Sequence, residues 1–262
     1  MIKDVIASAR KIVVKIGSNT LADQDGRVNT TFLEEFASQV ASLLKNGKQL
    51  VLVSSGAQVA GLSTMGKWAR KQDIHYKQAL CAVGQVELMS AWKRAFALSG
   101  RHIAQILLTR EDFGDGLRSL NMRNTLFTLV DEGVVPIINE NDSVSVEEIK
   151  IGDNDTLAAR SAILWSADIL ILFSDIDGLF DKNPKEDDSA RLITEVSDIE
   201  SARKIISIGG NSVFGTGGIA TKLDAAELCL AFSIPMILAH GGRARALTAL
   251  TEGSQQGTLF IV

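Results

Sequence analysis

The sequence of 262 residues contains little cysteine, histidine or proline, and the first two shortages exclude particular kinds of site. The two cysteines, Cys81 and Cys229, each lie in an apolar, helix-like stretch, which favours core packing in a reducing compartment over a disulfide framework. The three histidines, His75, His102 and His240, lack the spacing of metal ligands. We therefore expect no metal site built from protein side chains.

Positive charge and long apolar runs are also scarce. Lysine and arginine total 27 against 31 acidic residues, giving a net charge of -4, which argues against a nucleic-acid-binding surface. The most apolar run, Ile169 to Phe173, is far shorter than the roughly 20 residues that span a bilayer. The start of the chain carries Asp4 and lacks a signal-like apolar segment. These features predict a cytoplasmic protein with a small-molecule partner, no nucleic acid and no membrane.

Short apolar runs rich in β-branched residues recur along the chain and predict strands that are mostly buried on both faces. The runs are Lys11–Ile16, Gln49–Val53, His102–Leu107, Val134–Ile138, Ile169–Phe173, Pro235–Ala239 and Leu259–Val262. Between them lie longer segments with helical spacing. The first such helix is predicted to start at a capping box, Thr31 with Glu34, and to end at Gly47. Further helices are predicted at Lys77–Leu98, Ser119–Glu132, Asn154–Trp165 and Thr221–Phe232.

This alternation of strands and helices predicts a single domain over residues 1–262, with a three-layer α/β/α sandwich around a mainly parallel central sheet. The polar stretch Asp181 to Ala190 is interpreted as a surface loop. Ligands of such sheets bind at the carboxyl ends of the strands. The residues that follow each strand are therefore the candidates for function.

Two strand ends have the composition of phosphate or ligand sites. Lys15 lies near the carboxyl end of an apolar strand, where a lysine needs an anionic partner, although an edge lysine that reaches solvent would fit the same pattern. Gly17 and Ser18 follow it and allow backbone N–H groups to approach a phosphate. The second strand ends in Ser54 to Ala57, which is either a ligand-binding turn or an ordinary strand end.

Polar residues crowd two later segments, Asn139 to Ser143 and Gly152 to Thr156. Asp153 could be a helix N-cap, and Asp155 could interact with the helix dipole. These roles would explain one or two carboxylates but not both clusters. Ser174 and Asp175 close the fifth predicted strand.

The segment Gly215 to Lys222 offers flexible backbone donors, hydroxyl groups and a lysine at the start of a helix, a combination that suits nucleotide phosphates. It is neither a Walker A loop nor a G-x-G-x-x-G fingerprint. A flexible surface loop would explain the glycines alone.

Taken in order, these motifs resemble the amino acid kinase family over nearly the whole chain. The motifs are Val14–Ser18, Ser54–Ala57, Ile138–Asp142, Lys150–Asp155, Ser174–Asp175 and Gly215–Lys222. The first motif and the glycine-rich segment are shared in looser form by carbamate, acetylglutamate, aspartate and uridylate kinases. The segments Asn139 to Asp142 and Lys150 to Asp155 narrow the resemblance to the glutamate 5-kinases.

The resemblance implies a role for each matching residue. Lys15 and Lys222 would be catalytic, and Asp155 would hold the two lysines in place. The residues implied in ATP binding are Lys15, Ser174, Asp175, Thr216, Gly217, Gly218, Ile219, Ala220, Thr221 and Lys222. Ser55, Asp142 and Asn154 would bind L-glutamate.

The resemblance also implies the cofactors and the organisation of the chain. ATP would phosphorylate the side-chain carboxylate of L-glutamate in the first step of proline synthesis, with Mg2+ bridging the ATP phosphates. An acceptor-binding part would cover about 1–165 and a nucleotide-binding part about 166–262. Proline is expected as a feedback inhibitor and a homo-oligomer as the assembly. Many relatives continue into a small C-terminal PUA domain, which we expect to be absent here.

Two residues depart from the family pattern, because Gln58 replaces a small apolar residue and Ser174 stands where threonine is usual. Neither departure removes a catalytic group. A related kinase with another acceptor, acetylglutamate or aspartate, fits the same motifs. A non-catalytic amino-acid sensor also fits, although the presence of both lysines argues against it.

Overall fold

The computed structural model describes residues 1–23, 25–66, 73–145, 154–184, 186–208 and 218–261. The strands are β1 (Lys11–Ile16), β2 (Gln49–Ser54), β3 (Ile103–Leu108), β4 (Val135–Glu140), β5 (Ile169–Ser174), β6 (Leu179–Phe180), β7 (Leu192–Ile193), β8 (Glu195–Val196), β9 (Met236–His240) and β10 (Thr258–Phe260). The helices are α1 (Ile2–Ser8), α2 (Ser18–Leu21), α3 (Thr30–Lys45), α4 (Ala57–Met65), α5 (Ile74–Ala97), α6 (Arg110–Gly114), α7 (Gly116–Asp131), α8 (Asp155–Trp165), α9 (Ile199–Ile208), α10 (Gly218–Leu230) and α11 (Ala246–Glu252). Every predicted strand and helix is present, with ends that differ by up to three residues.

Within the described residues, eight strands form one sheet in the order β3-β4-β2-β1-β5-β9-β10-β8. Neighbouring strands are parallel except for β9 and β10, which are antiparallel. The small strands β6 and β7 form a separate antiparallel pair. Both faces of the large sheet are covered by helices, so the predicted three-layer α/β/α sandwich is confirmed. Within the part of the chain that the structure describes, no helix is both long and apolar enough to cross a bilayer.

Two hydrophobic clusters cover the two faces of the sheet, because successive side chains of each strand point to opposite sides. On one face, Ile12 and Val14 of β1 pack with apolar residues of α1, α3, α5 and α11. On the other face, Val13 packs with residues of α7, α8, α9 and α10. Lys15 lies two residues after Val13 and therefore shares its face. The sheet thus directs Lys15 toward α8 and α10.

The order of the strands places a ligand crevice at the carboxyl end of β1. Strands β2, β3 and β4 lie on one side of β1, whereas β5 lies on the other. The order of the strands therefore reverses at β1. In open α/β sheets, ligands bind at such a switch, outside the carboxyl ends of the strands. Lys15 and Ser174 are both located there.

Helices α4 and α5 pack with their backbones in direct contact, which fixes α5 against the end of β2. A Cβ atom at Gly84 would lie 1.8 Å from the carbonyl oxygen of Ala57 and 2.2 Å from the backbone nitrogen of Gly61. A Cβ atom at Gly61 would lie 1.8 Å from the carbonyl oxygen of Leu80. Only glycine permits this approach. The helix face that carries Gly84 is therefore held close to the turn after β2.

One expectation about local structure was wrong. Helix α3 does not begin at a Thr31 capping box, because Asn29 is the N-cap and its side chain accepts a hydrogen bond from Phe32 N at 3.1 Å. Asparagine is among the strongest N-caps, so it displaces the start by two residues. Strand β3 lies at the edge of the sheet, where Gln105 and Leu107 are exposed, and it is an exception to the burial expected for most strands.

Candidate active site

The centre of the site is a buried cluster of two lysines and one aspartate. Lys15 Nζ lies 2.8 Å from Asp155 Oδ1, and Lys222 Nζ lies 2.9 Å from Asp155 Oδ2. The exposed fractions of Lys15, Asp155 and Lys222 are 2%, 0% and 5%. The Thr221 hydroxyl donates to Asp155 Oδ2 at 3.1 Å. One carboxylate therefore holds two ammonium groups together, away from water, where their charges act more strongly than in solvent.

Three separate elements supply these side chains. Lys15 is next to the last residue of β1, Asp155 is the first residue of α8, and Lys222 lies in the second turn of α10. The positive end of the α8 dipole favours an ionised carboxylate at position 155. A buried charge requires a partner, and each lysine finds it in Asp155. The role predicted for Asp155, to hold both lysines, would use these two contacts.

The nucleotide side of the predicted site lies at the end of β5. Ser174 Oγ donates to Asp175 Oδ1 at 3.2 Å, and Asn19 Nδ2 donates to Asp175 Oδ2 at 3.1 Å. Burial would raise the pKa of Asp175, but hydrogen bonds from Asn19, its own backbone and Ser174, with the charge of Lys222, bring the pKa below its ordinary value. Asp175 is therefore an ionised, oriented acceptor beside Lys222.

The glycine-rich segment is only partly within the described residues. Thr216 and Gly217 lie outside them. Gly218, Ile219 and Ala220 form the first turn of α10, whose N-terminus carries N–H groups without intrahelical acceptors. Such a helix end favours anions, and Lys222 adds its charge one turn later.

Three predicted acceptor residues are buried and carry polar atoms without partners. Ser55, Asp142 and Asn154 are 1%, 5% and 1% exposed. Among the described residues, no hydrogen-bond partner is found for Ser55 Oγ, Asp142 Oδ1 or Asn154 Oδ1. Buried polar atoms are nearly always hydrogen-bonded, so these three unpartnered oxygens indicate a place for a polar ligand.

Asn154 has the position of a helix cap without its usual hydrogen bond. It is the N-cap residue of α8, yet its side chain makes no cap hydrogen bond. Its Nδ2 donates instead to Asn139 Oδ1 at 2.8 Å and to the Ser54 carbonyl at 3.4 Å. An asparagine at this position would ordinarily stabilise the helix by capping it. The side chain is instead directed to the end of β4.

Burial changes the ionisation of Asp142. Burial raises the pKa of this carboxyl group, a hydrogen bond from the Cys81 thiol lowers it, and the negative charge of Glu140 raises it, giving a pKa of about 7. Gln78 Nε2 donates to the backbone carbonyl of Asp142 at 2.9 Å and holds the segment in place. A cationic ligand would favour the ionised form of Asp142.

Helix α5 contributes residues that sequence reasoning missed. Gln78 and Cys81 both contact Asp142. Gln85 Oε1 accepts a hydrogen bond from Asn139 Nδ2 at 2.8 Å. Cys81 was expected to be a core residue, and it is buried, but its thiol also contacts Asp142. The spacing of the three residues places them on one helix face. This shared helix face, with two glutamines and a cysteine, was the available signal.

Comparison with known proteins identifies the family of this chain. Residues 10–247 match the model of the amino acid kinase family. The glutamate 5-kinase of Alkaliphilus metalliredigens is 58% identical over 260 residues, which cover 99% of this chain and 98% of that protein. The glutamate 5-kinase of Alkaliphilus oremlandii is 56% identical over 260 residues, which cover 99% of this chain and 99% of that protein.

Solved structures give the same fold at low sequence identity. The UMP kinase of Ureaplasma parvum superposes with a TM-score of 0.67 at 15% identity, covering 97% of this chain and 99% of that one. At this identity the likeness bears on the fold alone. With the family match over most of the chain and the high identity of the relatives, the conclusion is that this chain belongs to the amino acid kinase family.

Proposed function

We propose that this protein is a glutamate 5-kinase, which transfers the γ-phosphoryl group of ATP to the side-chain carboxylate of L-glutamate. The products are L-glutamyl 5-phosphate and ADP, and the reaction is the first step of proline synthesis. Two relatives named for this activity are 58% and 56% identical over almost the whole chain. Identity of this level over 260 residues supports the same reaction and the same acceptor.

One observation carries the proposal. The Asp155 carboxylate that binds Lys15 and Lys222 directly follows Asn154, whose unpartnered Oδ1 belongs to the group of buried oxygens at the acceptor side. A cationic cluster for a phosphoryl group and a polar pocket for an amino acid are therefore adjacent in sequence and in space. This is the arrangement that direct transfer between two bound substrates requires.

The proposed transfer requires no general base. The side-chain carboxylate of glutamate, with an ordinary pKa of about 4.3, is ionised at neutral pH and is itself the nucleophile. Its oxygen forms a bond to the γ-phosphorus while the bond to the β,γ-bridging oxygen breaks, and that electron pair leaves with ADP. Catalysis then consists of alignment and charge neutralisation. Lys15 and Lys222 would stabilise the negative charge on the transferred phosphoryl and leaving groups.

The acceptor pocket would recognise the amino-acid end of glutamate. Asp142 Oδ1 and Asn154 Oδ1 are acceptors that suit the ammonium group, and charge-assisted hydrogen bonds of this kind are the strong ones. The Ser55 hydroxyl can donate to a carboxylate. This division of roles leaves the side-chain carboxylate of glutamate to face the lysines.

The nucleotide would bind Lys15, Ser174, Asp175 and the residues from Thr216 to Lys222. Among the described residues, no group of three or more His, Cys, Asp or Glu side chains could hold a metal ion, and both oxygens of Asp155 already bind lysines. Mg2+ commonly binds through substrate phosphates and water rather than a protein cage. The residues present therefore fit an ion carried by the ATP phosphates, where it would neutralise charge.

The proposal extends to organisation and regulation. Residues from about 1 to 165 would form the acceptor part, and those from about 166 to 262 the nucleotide part, of one cytoplasmic enzyme. By its resemblance to the family, the enzyme would assemble as a homo-oligomer. Proline would inhibit by competing with glutamate, since it shares the α-carboxylate and a cationic amine.

Trapping of the product with hydroxylamine tests the proposed reaction. Acyl phosphates react with hydroxylamine to give hydroxamates, so the purified protein is incubated with ATP, Mg2+ and an acceptor panel of glutamate, aspartate and N-acetylglutamate. We expect hydroxamate with glutamate far above the other acceptors. Preference for another acceptor would identify a related kinase, and ligand binding without ADP release would identify a sensor.

A further inference from the structure

We propose that Gln85 is a further acceptor-binding residue, whose side-chain N–H group donates a hydrogen bond to the α-carboxylate of the substrate. This inference rests on the proposed function. Gln85 is only 8% exposed. Within the described part of the chain, its Nε2 atom is one of the few buried side-chain polar atoms that have no hydrogen-bond partner.

A chain of three side-chain amides fixes which atom of each residue is left for a ligand. The backbone N–H of Glu140 donates to Asn139 Oδ1 at 2.9 Å, so this atom must be the carbonyl oxygen. Asn139 Nδ2 must then point to Gln85, which accepts through Oε1 at 2.8 Å. The orientation of Gln85 is thereby determined, and its free atom is the donor Nε2.

The same logic applies at the other end of the amide chain. Asn139 Oδ1 also accepts from Asn154 Nδ2 at 2.8 Å, so Asn154 keeps Oδ1 as its free atom. The backbone N–H of Glu140 thus fixes the orientation of all three side-chain amides. It leaves a donor, Nε2, at Gln85 and an acceptor, Oδ1, at Asn154. A free amino acid needs both, because its α-carboxylate accepts hydrogen bonds and its ammonium group donates them.

The position of Gln85 assigns it to the α-carboxylate rather than the reacting carboxylate. Asn154 adjoins Asp155 and the two lysines, whereas Gln85 lies two hydrogen bonds farther along the chain of amides. The preceding residue, Gly84, is packed against Ala57, two residues after Ser55. This packing holds Gln85 at the border of the proposed acceptor pocket, and its separation from Asp155 along the chain of amides is why we assign it to the α-carboxylate.

Two substitutions separate the donor from the structural role. Gln85→Glu keeps an oxygen for Asn139 Nδ2 but has no N–H donor when ionised, and assays at about pH 8 favour that form. Gln85→Met removes both groups with a side chain of similar length. Gln39→Glu is the matched control, because Gln39 Oε1 accepts from Thr248 N at 3.0 Å on helices outside the site.

The test compares glutamate with 4-aminobutyrate, which lacks the α-carboxylate. We expect both Gln85 variants to raise KM for glutamate by roughly ten- to hundredfold, as loss of a hydrogen bond to a charged group does, with KM for ATP unchanged. The inhibition constant of 4-aminobutyrate should change by less than about twofold, because it never contacts Gln85. Gln39→Glu should leave all three constants unchanged.

The outcomes distinguish the two proposals. Wild-type protein that does not phosphorylate glutamate overturns the proposed function and this inference together. Active wild-type protein with unchanged KM for glutamate in both variants overturns the role of Gln85 alone. Equal weakening of glutamate and 4-aminobutyrate also contradicts it, since that result would mean a general loss of pocket shape.

Discussion

Lys15 and Lys222 share one counter-ion, because their Nζ atoms bind different oxygens of the Asp155 carboxylate at 2.8 and 2.9 Å. The first lysine comes from β1 and the second from α10, so the carboxylate also links this strand to this helix. Removal of the carboxylate and removal of either lysine should therefore have different consequences.

Asp155→Asn is expected to destabilise the protein as well as inactivate it. The substitution leaves two buried ammonium groups without their shared anion, and loss of one partner of a buried ion pair costs about 3–5 kcal/mol. The free energy of unfolding in urea measures this effect. Asp224→Asn on helix α10 is the control, since the Asp224 pair with Arg203 is solvent-exposed and should contribute less than about 1 kcal/mol. Equal effects of the two substitutions would contradict the account.

Lys15→Met and Lys222→Met are each expected to decrease kcat by about 100- to 1,000-fold, the size of effect found when one donor to a transition-state oxyanion is removed. Lys182→Met, at an exposed ion pair with Asp187, should leave kcat unchanged. Steady-state kinetics with saturating substrates measures the difference. Near-normal kcat in either variant would mean that the lysine has a structural role or aids binding only.

The ionisation of Asp142 predicts a pH dependence of stability. The pKa of Asp142 is raised from 3.8 to about 7, so between these values the folded protein holds a proton that the unfolded chain has released. This contribution to stability is complete below pH 3.8 and is lost as pH rises through about 7. In ligand-free protein, Asp142→Asn should remove this part of the pH dependence. Urea unfolding across the range tests it, and identical profiles for both proteins would contradict it.

Glutamate binding should also depend on the ionisation of Asp142, but it should become stronger as pH rises. The ammonium group of glutamate favours ionised Asp142, so KM for glutamate should decrease as pH rises from about 6 to about 8. KM for ATP serves as the internal control, because Asp142 lies on the acceptor side. Retention of the glutamate profile in Asp142→Asn would assign the titration to another group.

Asn154 and Asn29 provide a contrasting pair at two helix starts. Asn29 caps α3, so Asn29→Ala should cost about 0.5–2 kcal/mol of stability without changing KM. Asn154 makes no cap hydrogen bond, and Asn154→Ala should raise KM for glutamate tenfold or more, with little effect on ATP. Kinetics and urea unfolding of both variants measure the contrast. Equal loss of affinity for both substrates in Asn154→Ala would indicate a disturbed fold.

Proline is expected to inhibit competitively with respect to glutamate. It carries the α-carboxylate and the cationic amine, so Asp142 and Asn154 can bind it, but it has no side-chain carboxylate to receive phosphate. Initial rates over a grid of proline and glutamate concentrations provide the test. Absence of inhibition at millimolar proline would reject feedback control, and inhibition that saturating glutamate does not relieve would require a separate site.

The fold was predictable because its strands are continuous apolar runs separated by helical spacing. The runs around Val13, Leu52 and Ile171 are buried on both faces, and that pattern specifies a parallel sheet. Short helices such as α1 and α4 were not predicted, because few periodic positions mark them. The start of α3 was misplaced since Thr31 competes with the stronger cap at Asn29.

The site was predictable only in part, because its contacts join residues that are distant in sequence. Lys222 and Asp155 are 67 positions apart, and no local pattern shows that they meet. The motif order indicated their roles through the family resemblance. Gln85 was missed because its hydrogen bond to Asn139 exists only in the folded protein, so its position on a helix face did not by itself assign it a role.

The most direct test of the proposed function is the initial rate of ADP release by purified protein with ATP and Mg2+, measured with and without L-glutamate. The account predicts release that depends on glutamate, saturates with it and is decreased at least about 100-fold in Lys222→Met. Release at the same rate without glutamate, or undiminished release by Lys222→Met, would contradict it.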